Sequence, residues 1–216
     1  MRFPSPDTAY PLTLPDGTVH AGTVFLSAVI DHPRISVGDY SYASTHTSPD
    51  DWAARLAPYL YDASAEKLII GKFCQIADSV MFITASANHR HDGFSSFPFM
   101  IFTGAFEGAP SVPPPGPDTI VGNDVWIGQG ARIMPGAVIG NGVIIGAGAV
   151  VSGHVPDYAI VAGNPARVVR MRCDSETIRA LCRIAWWDWD IETIVANEAA
   201  IVGNELPALQ AAASMR

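Results

Sequence analysis

The chain has 216 residues, 49% of them apolar and only 16% charged, so it can bury a large core and expose few charges. Its formal net charge is −8 and it contains no basic run, which argues against nucleic-acid binding through clustered lysine and arginine. No stretch reaches about 18 uninterrupted apolar residues and the N-terminus lacks an apolar core, so we expect neither membrane association nor a signal peptide.

The first predicted element is a hairpin over residues 10–30, with its turn at Pro15-Asp16-Gly17-Thr18. A first β unit then begins at Val37-Gly38, where Ser41 takes a position reserved for a small residue.

Two insertions interrupt the predicted β units, over about residues 43–67 and 84–118. Asp50-Asp51-Trp52 predicts the start of a short helix in the first insertion. Long loops in a compact domain are usually functional or disordered, so both insertions are candidates for containing functional residues.

A six-residue repeat over residues 121–156 decides the predicted fold. Because a strand alternates faces every two residues, six residues allow one short strand and a corner, and three such units make a coil of about 18 residues. Stacked coils bury a continuous aliphatic column, whereas ordinary sandwich strands would vary in length. The repeating aliphatic residues are Val121, Ile127, Ile133, Ile139, Ile145 and Val151.

Two helices are predicted after the repeat. Asp174 or Ser175 can cap the first helix, which ends near Trp186, and the second covers residues 190–201. We interpret both helices as packing elements.

These elements divide the chain into two parts: a domain over residues 1–173, with the coil, hairpin and insertions, and a helical extension over residues 174–216. Cys74, Cys173 and Cys182 form no CxxC motif and cannot all pair. Free thiols favour a reducing compartment, so the predicted localisation is cytoplasmic.

Residues 123–172 (NDVWIGQGARIMPGAVIGNGVIIGAGAVVSGHVPDYAIVAGNPARVVRMR) resemble the hexapeptide acetyltransferases. Residues 88–99 (NHRHDGFSSFPF) and 184–189 (IAWWDW) resemble the xenobiotic acetyltransferases, which include type B chloramphenicol and streptogramin A acetyltransferases. The resemblance covers about residues 35–210.

This resemblance implies a mainly β fold: a left-handed parallel β-helix with an extended loop insertion and C-terminal α-helices. It also implies a homotrimer with active sites between subunits. The implied reaction moves acetyl from acetyl-CoA, without a metal, to a hydroxyl of a small molecule.

His89 is the predicted catalytic general base. An attacking hydroxyl must lose its proton, and a neutral imidazole is suited to remove it near neutral pH. His89 lies in the second insertion and aligns with the catalytic histidine of the family. Asp92 could either orient an imidazole or cap a turn.

The resemblance also assigns residues to the donor. Trp126 either lines the CoA channel or shields a corner of the coil. Arg167, Arg170 and Arg172 form the basic cluster of the chain, and guanidinium groups suit phosphate recognition. One contact departs from the family, because Ser152-Gly153 stands where Thr-Lys is frequent. The predicted cofactor-binding residues are Trp126, Gln129, Ala147, Ser152, Arg167 and Arg170.

The predicted substrate-binding residues are Tyr40, Tyr42 and His46. Residues 44–48 (STHTS) are more polar than the tyrosine-rich loop of the drug-acetylating relatives, so the acceptor could be chloramphenicol, a streptogramin A or another alcohol. Four phenylalanines either form an apolar wall or belong to the core: Phe94, Phe97, Phe99 and Phe102.

Two other functions compete with acetyl transfer. A γ-type carbonic anhydrase-like zinc enzyme would need His46, His89 and His91 to converge across a subunit interface, but the HxxxxH spacing is absent. A non-catalytic β-helix scaffold would not need the NHRHD, VWIG and NPAR segments.

Overall fold

The structure is a computed structural model that describes residues 3–104, 106 and 108–214, and its main body is a coil of short β-strands. The strands are β1 (Thr23–Phe25), β2 (Ile35–Val37), β3 (Tyr42–Ser44), β4 (Leu68–Ile70), β5 (Gln75–Ile76), β6 (Met81–Phe82), β7 (Thr119–Val121), β8 (Trp126–Ile127), β9 (Arg132–Ile133), β10 (Val138–Ile139), β11 (Ile144–Ile145), β12 (Val150–Val151), β13 (His154–Val155), β14 (Ala159–Gly163) and β15 (Ala166–Met171). The helices are α1 (Trp52–Leu56), α2 (Phe99–Thr103), α3 (Ser175–Ile184), α4 (Ile191–Ala196), α5 (Glu198–Val202) and α6 (Leu206–Ser214).

Successive strands of the coil pass from one sheet to the next and return to the first sheet after every third strand. Within the described residues, the seven-stranded sheet has the order β1-β3-β5-β8-β11-β14-β15, the five-stranded sheet β13-β10-β7-β4-β2, and the three-stranded sheet β12-β9-β6. Strands of successive turns pair in parallel, as in Ile127↔Ile145 and Ile133↔Val151. The predicted parallel β coil is therefore confirmed.

The aliphatic residues of the repeat fill the interior of this coil. Each isoleucine of the column is at most 1% exposed and stacks between its equivalents in neighbouring turns. Burial of one such side chain contributes about 1.5–3 kcal/mol, and it depends on the adjacent turns being in place. The column contains Ile76, Ile127, Ile133, Ile139 and Ile145.

One corner of the coil is held by a ladder of hydrogen bonds to asparagine and aspartate side-chain oxygens. The backbone nitrogen and Nδ2 of Asn123 both lie 2.9 Å from Oδ1 of Asn141. The backbone nitrogen of Asn141 in turn donates to Oδ1 of Asp157 at 2.6 Å. These bonds tie three successive turns at the corner where no strand pairing is available.

The first insertion replaces one strand of the three-stranded sheet with a short helix. The chain leaves the end of β3 and returns at β4, and α1 between them packs against β6. Asp51 caps α1 by accepting a hydrogen bond from the backbone nitrogen of Ala54 at 3.0 Å, which confirms the helix predicted there. Trp52 and Leu56 bury their side chains in the core of the coil.

The second insertion leaves the coil after β6 and returns at β7, so it projects from a corner. The four phenylalanines singled out from the sequence are half exposed or more, with Phe97 at 50% and Phe94 fully exposed. The interpretation of these residues as core is therefore wrong. They lie on a loop that the coil does not cover.

The predicted N-terminal hairpin is shorter than residues 10–30. An antiparallel bridge joins Thr13 to Val19 around the predicted turn. From Thr23 onward the chain pairs instead with β3, because that strand offers an open edge and the pairing buries Val24 completely.

The C-terminal extension contains a break that its sequence pattern did not predict. Asp174 caps α3 as expected, accepting bonds from the backbone nitrogens of Glu176 and Thr177. The helix predicted over residues 190–201 divides at Asn197 into α4 and α5, and Nδ2 of Asn197 donates to the carbonyl oxygen of Thr193. Helix α6 was not predicted.

The extension packs against the coil through aromatic side chains. Trp186 lies 4.9 Å from Phe73, measured between ring centroids, and packs in one cluster with Leu209. None of the helices over the described residues is both long and apolar enough to cross a membrane.

Replacing Gly142 with alanine should destabilise the protein more than the same change at Gly130. Both glycines have left-handed backbone, with φ of +64° and +68°, so each alanine costs about 1–2 kcal/mol of strain. Only at Gly142 would the new Cβ also clash, 2.5 Å from the Tyr158 ring, whereas Gly130 has open space. Urea denaturation of the two variants measures the difference, and equal destabilisation would contradict the packing at this corner.

Candidate functional site

His89 lies on the surface of the second insertion, two residues after a short 3-10 turn over Ala85–Ala87. Its Nδ1 atom is 3.0 Å from the carbonyl oxygen of Ser96. A carbonyl oxygen only accepts hydrogen bonds, so this contact assigns the proton of a neutral ring to Nδ1. The lone pair is then on Nε2, which becomes the atom that can take up a proton.

Arg90 braces the loop that carries His89. Its Nε and NH2 atoms lie 2.7 and 3.2 Å from the two carboxylate oxygens of Asp92, and its NH1 atom donates to the carbonyl oxygen of Pro110 at 2.7 Å. The hydrogen bond from Arg90 lowers the pKa of Asp92. Asp92 therefore pairs with a guanidinium group rather than orienting an imidazole, and Arg90 is a site residue that sequence reasoning missed.

The outer face of the seven-stranded sheet carries a continuous row of side chains, which we call the outer row. Trp126 belongs to it and is 52% exposed, while its neighbour Ile127 is fully buried. Trp126 thus stands on a flat strand and not at a corner. Strand register aligns the row as Tyr42, Gln75, Trp126, Ile144, Ile160 and Arg170.

The outer row brings together Tyr42, which sequence reasoning assigned to the acceptor, with Trp126 and Arg170, which it assigned to the donor. With neighbouring strands about 4.8 Å apart, Tyr42 lies about 10 Å from Trp126, and Arg170 about 14 Å beyond it. A ligand lying along this face can contact all three residues.

Gln129 and Ala147 occupy one corner of the coil in successive turns. The backbone nitrogen of Gly148 donates to the carbonyl oxygen of Gln129 at 2.8 Å, which stacks the two turns. Both predicted cofactor-binding residues are exposed. Ser152 is also exposed but follows β12, so it lies at the next corner, on the far side of the three-stranded sheet.

The predicted basic cluster divides into two parts. Arg167 and Arg170 lie exposed on β15, at the edge of the seven-stranded sheet. Arg172 turns toward the coil, where NH1 donates to the carbonyl oxygen of Gly142 at 2.6 Å and lies 3.7 Å from Asp124. Burial raises the pKa of Asp124 despite this neighbour. Arg172 therefore has a structural role, and the other two remain open to a ligand.

Tyr40 is separated from the outer row. Its ring stacks on Phe73 at 5.0 Å and meets the edge of Phe3 at 5.6 Å. It lines a cavity of about 770 Å³ with the N-terminal segment and α4, including Ile191. Burial, followed by the nearby carboxylates, raises the pKa of Tyr40. The structure groups Tyr42, but not Tyr40, with the predicted donor residues.

Asp78 fixes the start of the first insertion, which carries His46. Its Oδ1 atom accepts a hydrogen bond from Oγ1 of Thr45 at 2.6 Å and lies 3.5 Å from NH2 of Arg55. The bond from Thr45 is the main cause that lowers the pKa of Asp78. The carbonyl oxygen of Asp78 also accepts from the nitrogen of Gly130, beside Gln129. The sequence around Asp78 does not indicate this role, because its partner Thr45 is distant along the chain.

His46, His89 and His91 do not converge in the structure. Over the residues it describes, no group of three or more histidine, cysteine, aspartate or glutamate side chains could hold a metal ion. His91 instead places Nδ1 3.3 Å from the carbonyl oxygen of His89. The described residues therefore do not support a zinc site that these three histidines form within one chain.

Comparison with known proteins adds an independent line of evidence. Residues 118–153 match the family model of the bacterial transferase hexapeptide, six repeats. The chain is 39% identical over 192 residues to a chloramphenicol acetyltransferase of Agrobacterium fabrum, covering 86% of this chain and 90% of that protein. It is 39% identical over 189 residues to a virginiamycin A acetyltransferase of Staphylococcus aureus, covering 86% and 85%. It is 46% identical over 140 residues to a probable macrolide acetyltransferase of Lysinibacillus sphaericus, covering 63% and 78%.

Replacing Asp78 with alanine should loosen the start of the first insertion. The change removes the acceptor of Thr45 and the partner of Arg55, and a charged hydrogen bond contributes about 1.5–3 kcal/mol. We expect amide hydrogen exchange at Thr45 and Thr47 to become about tenfold faster, with the coil repeats unchanged. Asp50→Ala, which removes an exposed carboxylate in the same loop, is the control. Unchanged exchange in Asp78→Ala would show that Asp78 does not hold the loop.

Proposed function

The chain belongs to the hexapeptide-repeat xenobiotic acetyltransferases, a family of acetyl-CoA-dependent O-acetyltransferases, and on that premise we propose that His89 is its general base for acetylation of a small-molecule hydroxyl. Family membership makes it an acetyltransferase rather than a carbonic anhydrase-like zinc enzyme or a non-catalytic scaffold. The observation that supports the role of His89 is the contact between its Nδ1 atom and the Ser96 carbonyl oxygen.

That contact fixes Nε2 as the ring nitrogen that would handle the proton. Nε2 of His89 accepts the proton of the acceptor hydroxyl as its oxygen attacks the carbonyl carbon of the thioester. The carbon–sulfur bond of the donor substrate then breaks, and the sulfur of CoA leaves with the proton from Nε2. During the step the ring is positively charged, and its Nδ1 hydrogen keeps its bond to the Ser96 carbonyl, which stabilises the charge.

The donor substrate acetyl-CoA is proposed to lie along the outer row and the adjoining corners. Exposed Arg167 and Arg170 form a cationic edge on a chain of net charge −8, which suits the phosphates. The exposed face of Trp126 offers an apolar surface to the flexible arm. Gln129, Ala147 and Ser152 are proposed to contact the donor at the corners.

The acceptor is proposed to bind near Tyr42 and His46. The similar proteins are named for chloramphenicol, virginiamycin A and a macrolide, so we propose an acceptor among hydroxyl-bearing antibiotics such as chloramphenicol or a streptogramin A, with a role in resistance. Tyr40 is proposed to contribute only indirectly to the acceptor site, since its own ring is engaged with Phe73.

We propose a homotrimer of left-handed β-helices with active sites between subunits. Trp126 and Arg170 lie on the outer face of the seven-stranded sheet, whereas His89 lies on the insertion that leaves the coil after β6 of the three-stranded sheet, and this separation supports completion of the site by a second copy. Apolar side chains are available to that contact: Phe94, Phe97, Phe99 and Phe102 are exposed on the second insertion, and Ile120 and Val138 on the five-stranded sheet.

The proposed division keeps residues 1–173 as the catalytic domain and 174–216 as the helical extension. The free thiols of Cys74, Cys173 and Cys182 support the proposed cytoplasmic localisation.

Acetyl transfer should be detectable as release of free CoA thiol from acetyl-CoA in the presence of the right acceptor. We expect release with at least one of chloramphenicol, a streptogramin A and a macrolide, with a simple sugar as comparison. His89→Ala should lower kcat by about 100-fold or more, because general-base catalysis contributes about that much. Steady-state kinetics at saturating donor measure the effect.

His91→Ala is the matched control, because it removes a second imidazole from the same loop, whose Nδ1 atom lies 3.3 Å from a backbone carbonyl oxygen. We expect it to lose less than about tenfold in kcat. If His89→Ala is folded, binds acetyl-CoA and turns over like the wild type, His89 is not the base.

A further inference from the structure

A buried polar cluster lies where the two insertions meet the coil. We call it the root cluster: it consists of Ser64 and Glu66 from the end of the first insertion and Ser86 from the start of the second. Glu66 is 3% exposed and Ser64 is 6% exposed. No other part of the proposed mechanism uses these residues.

Glu66 is held as an ion inside this cluster. Its Oε1 atom accepts a hydrogen bond from the backbone nitrogen of Ser86 at 2.6 Å. Burial raises the pKa of Glu66, but hydrogen bonds from the backbone of Glu66 and Ser86 outweigh burial and lower it overall. A buried carboxylate is costly without such donors, so its charge strongly favours keeping the Ser86 amide in place.

The second contact of the cluster joins the insertions through hydroxyl groups. The Oγ atoms of Ser64 and Ser86 are 2.7 Å apart, and the backbone nitrogen of Tyr61 donates to Oγ of Ser64 at 2.9 Å. Thr84, fully buried, also lowers the pKa of Glu66, although its hydroxyl makes no hydrogen bond of good geometry. The polar groups at this root therefore converge on one carboxylate.

The returning end of the second insertion is fixed beside the same cluster. Oδ1 of Asp118 accepts from the backbone nitrogen of Lys67, the residue after Glu66, at 2.7 Å. Gly116 approaches so closely that an added Cβ would lie 2.2 Å from that of Ala85. Both ends of the loop that carries His89 are thus fastened within a few residues of Glu66.

We propose that Glu66 is a positioning residue for His89, acting through the Ser86 amide three residues before it. Two bonds then orient the imidazole: the root cluster sets where the loop leaves the coil, and the Ser96 carbonyl sets the rotation of the ring. The cluster also connects the catalytic loop to the insertion that carries His46. This inference rests on the proposed function of His89.

Kinetics and hydrogen exchange of three variants test the proposal. Glu66→Ala should lower kcat about tenfold or more while the KM for acetyl-CoA changes less than about twofold, because none of the residues proposed to contact the donor belongs to the root cluster. Glu66→Gln keeps an oxygen that accepts from Ser86, so it should restore kcat to within about threefold of the wild type. Asp62→Ala, which removes an exposed carboxylate in the same insertion, is the control and should match the wild type.

Hydrogen–deuterium exchange supplies a readout that does not need turnover. In Glu66→Ala, exchange of residues 86–97 should rise while that of the coil repeats stays unchanged. If the wild-type protein transfers no acetyl group but exchange of residues 86–97 still rises in Glu66→Ala, the proposed function is rejected, while Glu66 is kept as the anchor of the loop. A merely structural role would lower the melting temperature and leave the kcat of the folded fraction unchanged, and that result overturns the proposal.

A further variant, Ser64→Ala, covers the case in which Glu66→Ala does not fold. Ser64→Ala removes one hydroxyl of the cluster and leaves the carboxylate with its Ser86 amide. It should show a smaller loss of kcat in the same direction, with faster exchange confined to residues 86–97. Wild-type kinetics and exchange in Ser64→Ala would then count against the coupling.

Discussion

The structure depends on the aliphatic column inside the coil. Each isoleucine of the repeat is buried only because the equivalent side chains of neighbouring turns lie above and below it. The column requires the strands to be short, in register and equally spaced. Residues that precede the buried positions must consequently point outward, at matching heights, on flat faces.

This constraint determines where a ligand-binding surface can form. Register alone aligns Tyr42, Trp126 and Arg170 on the outside of one sheet, although they come from distant parts of the chain. A flat face spaces these side chains regularly but encloses little of a bound ligand. The proposed general base therefore comes from elsewhere: His89 is on an insertion that leaves a corner, and its loop is fastened by Arg90 within the insertion and by Glu66 at its root.

Much of the fold could be predicted from the sequence, because the six-residue period of the aliphatic residues also marks the positions that are buried in the coil. The repeat, both insertions and the starts of the helices that Asp51 and Asp174 cap followed from local patterns. The break at Asn197 and the pairing of β1 could not be predicted in this way, because they depend on a side-chain bond and on an open strand edge.

The residues of the candidate site likewise fall into those that the sequence could predict and those that it could not. Residue types that recur in motifs, such as His89 and Trp126, could be found from the sequence. Asp78, Glu66 and Arg90 could not, because their roles arise from partners brought together by the loops. The separation of Tyr40 from Tyr42 likewise depends on the packing of α4 and the N-terminal segment.

The central claim is that His89 acts through Nε2 while Nδ1 stays on the Ser96 carbonyl. A crystal structure with CoA and an acceptor shown to be turned over tests it most directly. The account predicts the acceptor oxygen about 2.6–3.2 Å from Nε2, with the Nδ1 contact retained. An acceptor hydroxyl that contacts another base, or an imidazole whose Nδ1 atom faces the acceptor, would contradict it.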